Sequence, residues 1–270
     1  MKSKEKLNAA LDKNLHICIG LDTDINKIPQ FLKSEKSPIS IFNQMIIEST
    51  YEHAAAYKIN FAFYEQEGAK GYELLEETRK FIPQNIFTIA DAKRGDIGNT
   101  SEMYAKAVFD ILDFDSITLH PYMGEDSLSP FFSYKDRLCF VLALTSNKGA
   151  LDFEKLELAN GNLLYQEVIE KIKLWNSNKN LGLVFGATKL EELNENIDRF
   201  DDLPILLPGV GAQGGSLEDV VSTFHNSNNN RFLINISRGL IYVDSSREFT
   251  SKVKEVLDNY NKTIEMINNY

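Results

Sequence analysis

The sequence is poor in the residues that most covalent and metal chemistry uses: two cysteines, four histidines and one tryptophan in 270 residues. Cys18 and Cys139 each sit inside an apolar run. Buried reduced thiols of a cytoplasmic protein are the simplest reading of them. His16, His53, His120 and His225 show neither zinc-ligand spacing nor a Ser–His–acid set, which weakens metalloenzyme and hydrolase readings. An excess of positive charge is also missing, since 29 Lys and Arg against 39 Asp and Glu leave a net −10. That argues against a nucleic-acid polymer or an anionic membrane as main partner, yet a few local cations can still hold a small anionic substrate. No apolar run reaches the roughly 18 residues of a membrane span. The first segment, MKSKEKLNAALDKN, lacks an apolar signal core and is expected to form a short amphipathic helix over 1–14. There is no low-complexity tract and no internal domain boundary; Asn226–Asn230 is only a polar turn.

What is present is a regular alternation. Short apolar or β-branched runs occur at His16–Asp22, Ala56–Phe61, Ile86–Asp91, Ser116–His120, Leu138–Thr145, Leu181–Gly186, Pro204–Pro208 and Arg231–Ile236. Helical patterns lie between them, at Ile39–Ala54, Glu65–Phe81, Thr100–Leu112, Leu163–Trp175, Leu190–Phe200, Leu217–Phe224 and Ser246–Ile267, with a weaker one at Glu125–Tyr134. Near-continuous apolar strands imply burial on both faces, as in a parallel sheet. Eight strand–helix units in one chain predict a single (β/α)8 barrel over 1–270, with a doubly wound open sheet as the alternative. Trp175 and the phenylalanines read as packing residues.

In such a barrel the chemistry sits at the C-terminal strand ends. The unusual residues fall there: Asp22 after strand 1, Lys58 within strand 2, Asp91, Lys93 and Asp96 at strand 3, His120 at strand 4, and Thr145-Ser146-Asn147 at strand 5. After strands 7 and 8 come PGVGAQGG, Pro208–Gly215, and ISRGLIY, Ile236–Tyr242. Glycine-rich turns there offer backbone N–H groups to a phosphate, with Arg238 and Gln213 as side-chain donors, although glycines also simply make turns. Lys58, Asp91, Lys93 and Asp96 are expected to form a row of alternating charge, in which each lysine lets its acidic neighbours stay ionised. One reading is a structural salt-bridge network, but buried charge networks are weak devices for stability. A site that stabilises developing negative charge is a better reason for it. A divalent metal is disfavoured because lysines stand where the ion would sit. His120 is expected to be structural rather than catalytic.

The stretch Asp91-Ala92-Lys93-Arg94-Gly95-Asp96-Ile97-Gly98-Asn99-Thr100 resembles the D-x-K-x-x-D signature of the orotidine 5'-phosphate decarboxylase family. Asp22 in GLDTD, Lys58 in YKINFAFYE, Ser146 in LTSNKGA, Gln213 in PGVGAQGG and Arg238 in SRG match as well, each in order at an expected strand end. The long connection after strand 1 and the extended segment after TSN look like the longer bacterial-type branch. The resemblance implies conversion of orotidine 5'-monophosphate to uridine 5'-monophosphate and CO2, in pyrimidine biosynthesis, with no metal or organic cofactor. It implies Lys93 as proton donor to C6, Asp91 beside the substrate carboxylate, and Lys58 bridging the acids and touching the ribose. Asp22 is then a ribose ligand, Ser146 binds the pyrimidine amide edge, and Gln213 and Arg238 grip the phosphate under a closing loop. Asp96 and Thr100 are implied to enter the neighbouring subunit's site, making a homodimer. Two other activities compete: a Mg2+-dependent sugar-phosphate lyase or synthase that shares D-x-K-x-x-D, and a non-catalytic barrel that only binds nucleotide.

Overall fold

The computed structural model describes residues 1–186, 190–210 and 215–269. Its strands are β1 (Ile17–Gly20), β2 (Ala56–Asn60), β3 (Phe87–Arg94), β4 (Ser116–Leu119), β5 (Leu138–Leu144), β6 (Leu181–Phe185), β7 (Ile205–Pro208) and β8 (Phe232–Ile236). Each pairs in parallel with the next, and β8 returns to β1 through Ile17↔Ile234 and Ile19↔Ile236, so the sheet closes as a barrel. That last pairing rejects the open doubly wound sheet.

The period-two alternation of a strand divides the apolar residues into two cores. Ile17, Ile19, Tyr57, Ile59, Ala90, Ile117, Leu119, Val141, Leu183, Phe185, Ile205, Leu207, Ile234 and Ile236 face outward into the layer under the helices. Cys18, Ala56, Phe87, Ile89, Leu138, Phe140, Val184, Leu206 and Leu233 fill the barrel interior. Both faces are therefore dry, which is why the strands read as unbroken apolar runs. Burial pushes the Cys18 thiol up to about 12, so it stays protonated.

The helices are α1 (Ser3–Leu11), α2 (Pro38–Thr50), α3 (Ala62–Glu65), α4 (Ala69–Phe81), α5 (Asn99–Lys106), α6 (Glu125–Phe132), α7 (Leu164–Trp175), α8 (Leu190–Asn196), α9 (Leu217–Asn226), α10 (Arg238–Ile241) and α11 (Phe249–Asn268). Among the described residues none is long and apolar enough to cross a membrane. Leu7 and Leu11 of α1 join the interior core, so α1 plugs the N-terminal mouth. Lys6 secures the plug with a 2.8 Å ion pair to the buried Asp115, which also accepts from Ser3 Oγ and from Thr88.

Several elements depart from the sequence expectation. The expected helix over Glu65–Phe81 is two helices, α3 and α4, separated by a turn through Gly68. The one expected over Thr100–Leu112 is α5 followed by a wider π-helical turn, Ala107–Ile111, in which Leu112 N–H donates to Ala107 C=O. The third strand does not end at Asp91 but continues through Arg94, and the first stops at Gly20, leaving Asp22 in the loop that follows.

Candidate active site

Interior parity carries the charged residues to the C-terminal mouth. Lys58 follows Ala56 and Asp91 follows Ile89 on the inward face, and β2–β3 register sets Asn60 beside Asp91. There Lys58 Nζ donates to Asp91 Oδ2 at 2.7 Å and lies 3.5 Å from Asp22 Oδ1. Lys93 Nζ donates to the other oxygen, Asp91 Oδ1, at 2.5 Å. Asp22, Lys58, Asp91 and Lys93 thus form one row, buried at Lys58 and opening outward at Lys93, whose side chain is 51% exposed.

Burial alone would push the Asp91 carboxyl up, but the Lys58 and Lys93 ammonium groups outweigh it and hold Asp91 well below the usual carboxylate range. Burial pulls Lys58 down, and the charges of Asp91 and Asp22 reverse that, holding it above the ordinary lysine range. Both groups are therefore ionised at neutral pH.

The row depends on a distortion of β3. Ala90 pairs with Ile117 and Arg94 with Leu119, so Asp91, Ala92 and Lys93 together oppose the single residue Thr118. Lys93 takes a left-handed conformation, φ +47°, which costs a non-glycine residue about 1–3 kcal/mol. The Thr118 hydroxyl accepts from Lys93 N–H (3.1 Å) and donates to Asp91 Oδ1 (2.9 Å). Sequence reasoning missed Thr118; its one signal is a hydroxyl at an inward position of the apolar SITL.

Asp22 is held from behind. Tyr242 Oη donates to Asp22 C=O (3.2 Å) and accepts from Asp24 N–H (2.7 Å). Next to it, buried Asn43 binds Thr23, Tyr64 and Thr78, tying the β1–α2 connection to α2 and α4. Gly20 gives β1 room against the end of β8: a Cβ there would fall 1.8 Å from Ser237 Oγ and force that side chain to move.

The remaining expected residues lie around this row. Arg238 begins α10 at the end of β8, exposed and without an ion pair among the described residues. Arg238, Asp22, Lys58 and Asp91 thus come from four adjacent strands, β8–β1–β2–β3. Gln213 lies outside the described residues; the base of its loop is joined by the Gly215 N–H to Gly209 C=O bond. Ser146 is half-buried after β5, beside Thr145, whose N–H and hydroxyl are held by Glu154 (2.7 and 2.8 Å).

Asp96 is not in the row of its own chain. Its carboxylate accepts from the N–H of Ile97 and makes no ion pair among the described residues, so Asp22, not Asp96, is the fourth member within one chain. Thr100 is exposed on the first turn of α5. His120 packs on Gly95, where a Cβ would lie 2.9 Å from its carbonyl oxygen, and its N–H donates to Arg94 C=O. Arg94 turns away from the row to pair with Glu65 and cover the rings of Phe61 and Tyr104. Among the described residues no group of three or more His, Cys, Asp or Glu side chains is arranged to hold a metal.

Residues 16–252 match the model of the orotidine 5'-phosphate decarboxylase / HUMPS family. The chain belongs to this family. An orotidine 5'-phosphate decarboxylase of Christiangramia forsetii is 48% identical over 252 residues, 92% of each chain. The structure of the Leishmania donovani OMP decarboxylase superposes with a TM-score of 0.82 at 36% identity, covering 97% of this chain and 99% of that one. Leishmania donovani UMP synthase gives 0.85 at 37% identity, with 98% of this chain spanning 57% of that longer one. The family match takes in all eight strands of the barrel together with Asp22, Lys58, Asp91, Lys93 and Arg238.

Proposed function

We propose that this chain converts orotidine 5'-monophosphate to uridine 5'-monophosphate and CO2, using its own side chains and no cofactor. The observation that carries the reading is the clamp on Asp91, one carboxylate held through both oxygens by two ammonium groups, one of which opens into the barrel mouth. When the C6–carboxylate bond breaks, its electron pair stays on C6, where the ring offers little delocalisation. The Lys93 ammonium faces that carbanion as a fixed cation and then gives it a proton, forming the C6–H bond. The neutral amine regains a proton from water, which its exposure permits. Asp91 stands beside the departing carboxylate.

Asp22 and Lys58 take the ribose, Ser146 the amide edge of the pyrimidine, and Arg238 with Gln213 the phosphate. The phosphate is remote from the breaking bond, so its binding energy is available to close the loop around Gln213 and order the charges. The cofactor-free reading is supported by Lys58. Its ammonium occupies the space between the Asp22 and Asp91 carboxylates, the place a divalent ion bridging these acids would need.

The second part of the proposal is a homodimer with shared sites. Asp96 is free of its own chain's row, and Thr100 is exposed next to it. Ile97, Met103, Tyr122, Met123 and Phe153 expose large apolar surfaces on α5 and the loops after β3, β4 and β5, as a partner-binding face does. Across it, Asp96 and Thr100 reach the ribose end of the neighbouring site.

The test is loss of orotidine monophosphate absorbance with EDTA present. Turnover undiminished by chelation is expected. Turnover abolished by EDTA and restored by Mg2+ would instead favour the sugar-phosphate lyase reading, and tight binding of uridine monophosphate with no turnover would favour a nucleotide-binding barrel.

A further inference from the structure

We infer that Thr118 is a positioning residue whose hydroxyl sets the geometry of the Lys93 ammonium relative to the Asp91 carboxylate. This rests on the decarboxylase reading of the site.

Consider what the β3–β4 ladder loses. Between the Ala90↔Ile117 and Arg94↔Leu119 pairs, three residues of β3 face one of β4. The backbone of β4 cannot serve them all. The Lys93 N–H is taken by the Thr118 hydroxyl instead of by a strand carbonyl. A hydroxyl has one proton to give, and an ionised carboxylate can only accept. The proton of Thr118 therefore goes to Asp91 Oδ1, and a lone pair receives Lys93 N–H. The direction of both bonds is fixed by charge.

The consequence is a closed ring of contacts. Lys93 is held at its main chain by Thr118 and at its Nζ by Asp91, while Asp91 is held by Thr118, Lys93 and Lys58. Thr118 is itself buried, 2% exposed, and a β-branched side chain on a strand has little freedom about χ1. Its hydroxyl is hydrogen-bonded to both the left-handed backbone of Lys93 and the carboxylate. Without it, Asp91 Oδ1 loses a donor and the carboxylate is held by the two ammonium groups alone, and Lys93 loses the acceptor that holds its N–H in the bulge. The ammonium then no longer returns to one place.

Thr118→Val keeps the shape and removes the hydroxyl; Thr118→Ser keeps the hydroxyl and removes the methyl. With wild-type protein turning over orotidine monophosphate, Thr118→Val is expected to lower kcat by roughly 10–100-fold, the scale of a misplacement near 1 Å. Its dissociation constant for uridine monophosphate should stay within about threefold, and Thr118→Ser should recover most of kcat. Amide exchange at Lys93, which needs no activity, should quicken in Thr118→Val and not in Thr118→Ser. Should Thr118→Val not fold, Thr118→Cys, with a weak thiol donor, takes its place and is expected to lie between wild type and loss. Wild-type kcat in the variant lacking the hydroxyl, or equal losses in that variant and Thr118→Ser, would overturn the assignment. Absent turnover in the wild type would strike the decarboxylase reading, while the exchange measurement would still report on Thr118.

Discussion

Lys93 and Asp91 stand two residues apart on one strand, and the ammonium of the first donates to Oδ1 of the second at 2.5 Å. In a regular strand such residues share a face about 6.4–6.8 Å apart, each extending away from the sheet. The left-handed turn at Lys93 folds the longer side chain back onto the shorter one. The costly backbone conformation falls at the residue proposed to deliver a proton, and strain of this kind collects at functional sites. Lys93→Ala is therefore expected to abolish measurable decarboxylation, a loss of at least the roughly 10²–10⁴-fold of a general acid with its electrostatic part added. Binding of uridine monophosphate should persist. Near-normal turnover in that variant, followed by absorbance, would reject the role.

Lys58 separates catalysis from stability. It is buried between Asp22 and Asp91, so Lys58→Met leaves acidic groups with one cation fewer in a dry place. Breaking such a pair costs about 3–5 kcal/mol, whereas replacing both partners by apolar residues is often neutral. Lys58→Met is expected to lower the unfolding free energy obtained from urea titration by that amount, and Lys58→Met/Asp91→Leu to recover much of it while remaining inactive. A double variant as unstable as the single one would mean that the row contributes to the fold in its own right.

The strands were legible because the barrel buries both faces, which turns each strand into an apolar run, and because inward parity then carries Lys58 and Asp91 to one mouth, where Asp22 follows the end of β1. The bulge was not legible. DAKRGD places its glycine at Gly95, and nothing in that string marks Lys93 as left-handed; the partner of its N–H, the Thr118 hydroxyl, lies on the next strand. Nor did the spacing of Asp96 reveal that it turns to its own Ile97 N–H, while Asp22, 69 positions upstream of Asp91 in the chain, closes the row. Short α10 escaped because four residues carry no periodicity.

His16 sets an acid limit on stability. It is fully buried at the start of β1, stacked on Phe232 at 4.1 Å, and its Nδ1–H donates to Phe232 C=O. Burial lowers its pKa from 6.5 to about 4. Between those values the unfolded chain binds a proton that the folded chain refuses, so stability is lost as pH falls from about 6.5 towards 4. The slope from this one group is at most about 1.4 kcal/mol per pH unit. Asp91, whose folded pKa is depressed, contributes separately and further down: its share is present above about 3.9 and is lost as pH drops through its folded value. Urea titrations of His16→Gln from pH 7 to 4 should show a flatter dependence than wild type. An identical slope would show that His16 is not the group responsible.

Arg238 is exposed and unpaired among the described residues, so its removal leaves no buried charge behind. Arg238→Ala should fold normally and weaken orotidine monophosphate binding by roughly 2–5 kcal/mol, the scale of a truncated charged contact. The dephosphorylated nucleoside should bind both proteins alike. Unchanged affinity for the nucleotide, measured by calorimetry with uridine monophosphate, would remove Arg238 from the phosphate site.

Sharing of sites between two chains has a numerical signature. Suppose each site uses its own Lys93 and its partner's Asp96. Lys93→Ala and Asp96→Ala homodimers are then both inactive, for each has every site incomplete. A hybrid has one site lacking both groups and one site lacking neither. With random exchange of equal amounts, half the dimers are hybrids and half of their sites are whole, so about a quarter of wild-type activity should return. Sites contained in one chain predict no gain on mixing, because exchange then alters no site's composition. Tagged chains purified as hybrids establish that exchange has occurred, and a flat activity in that sample would place Asp96 outside the neighbouring site.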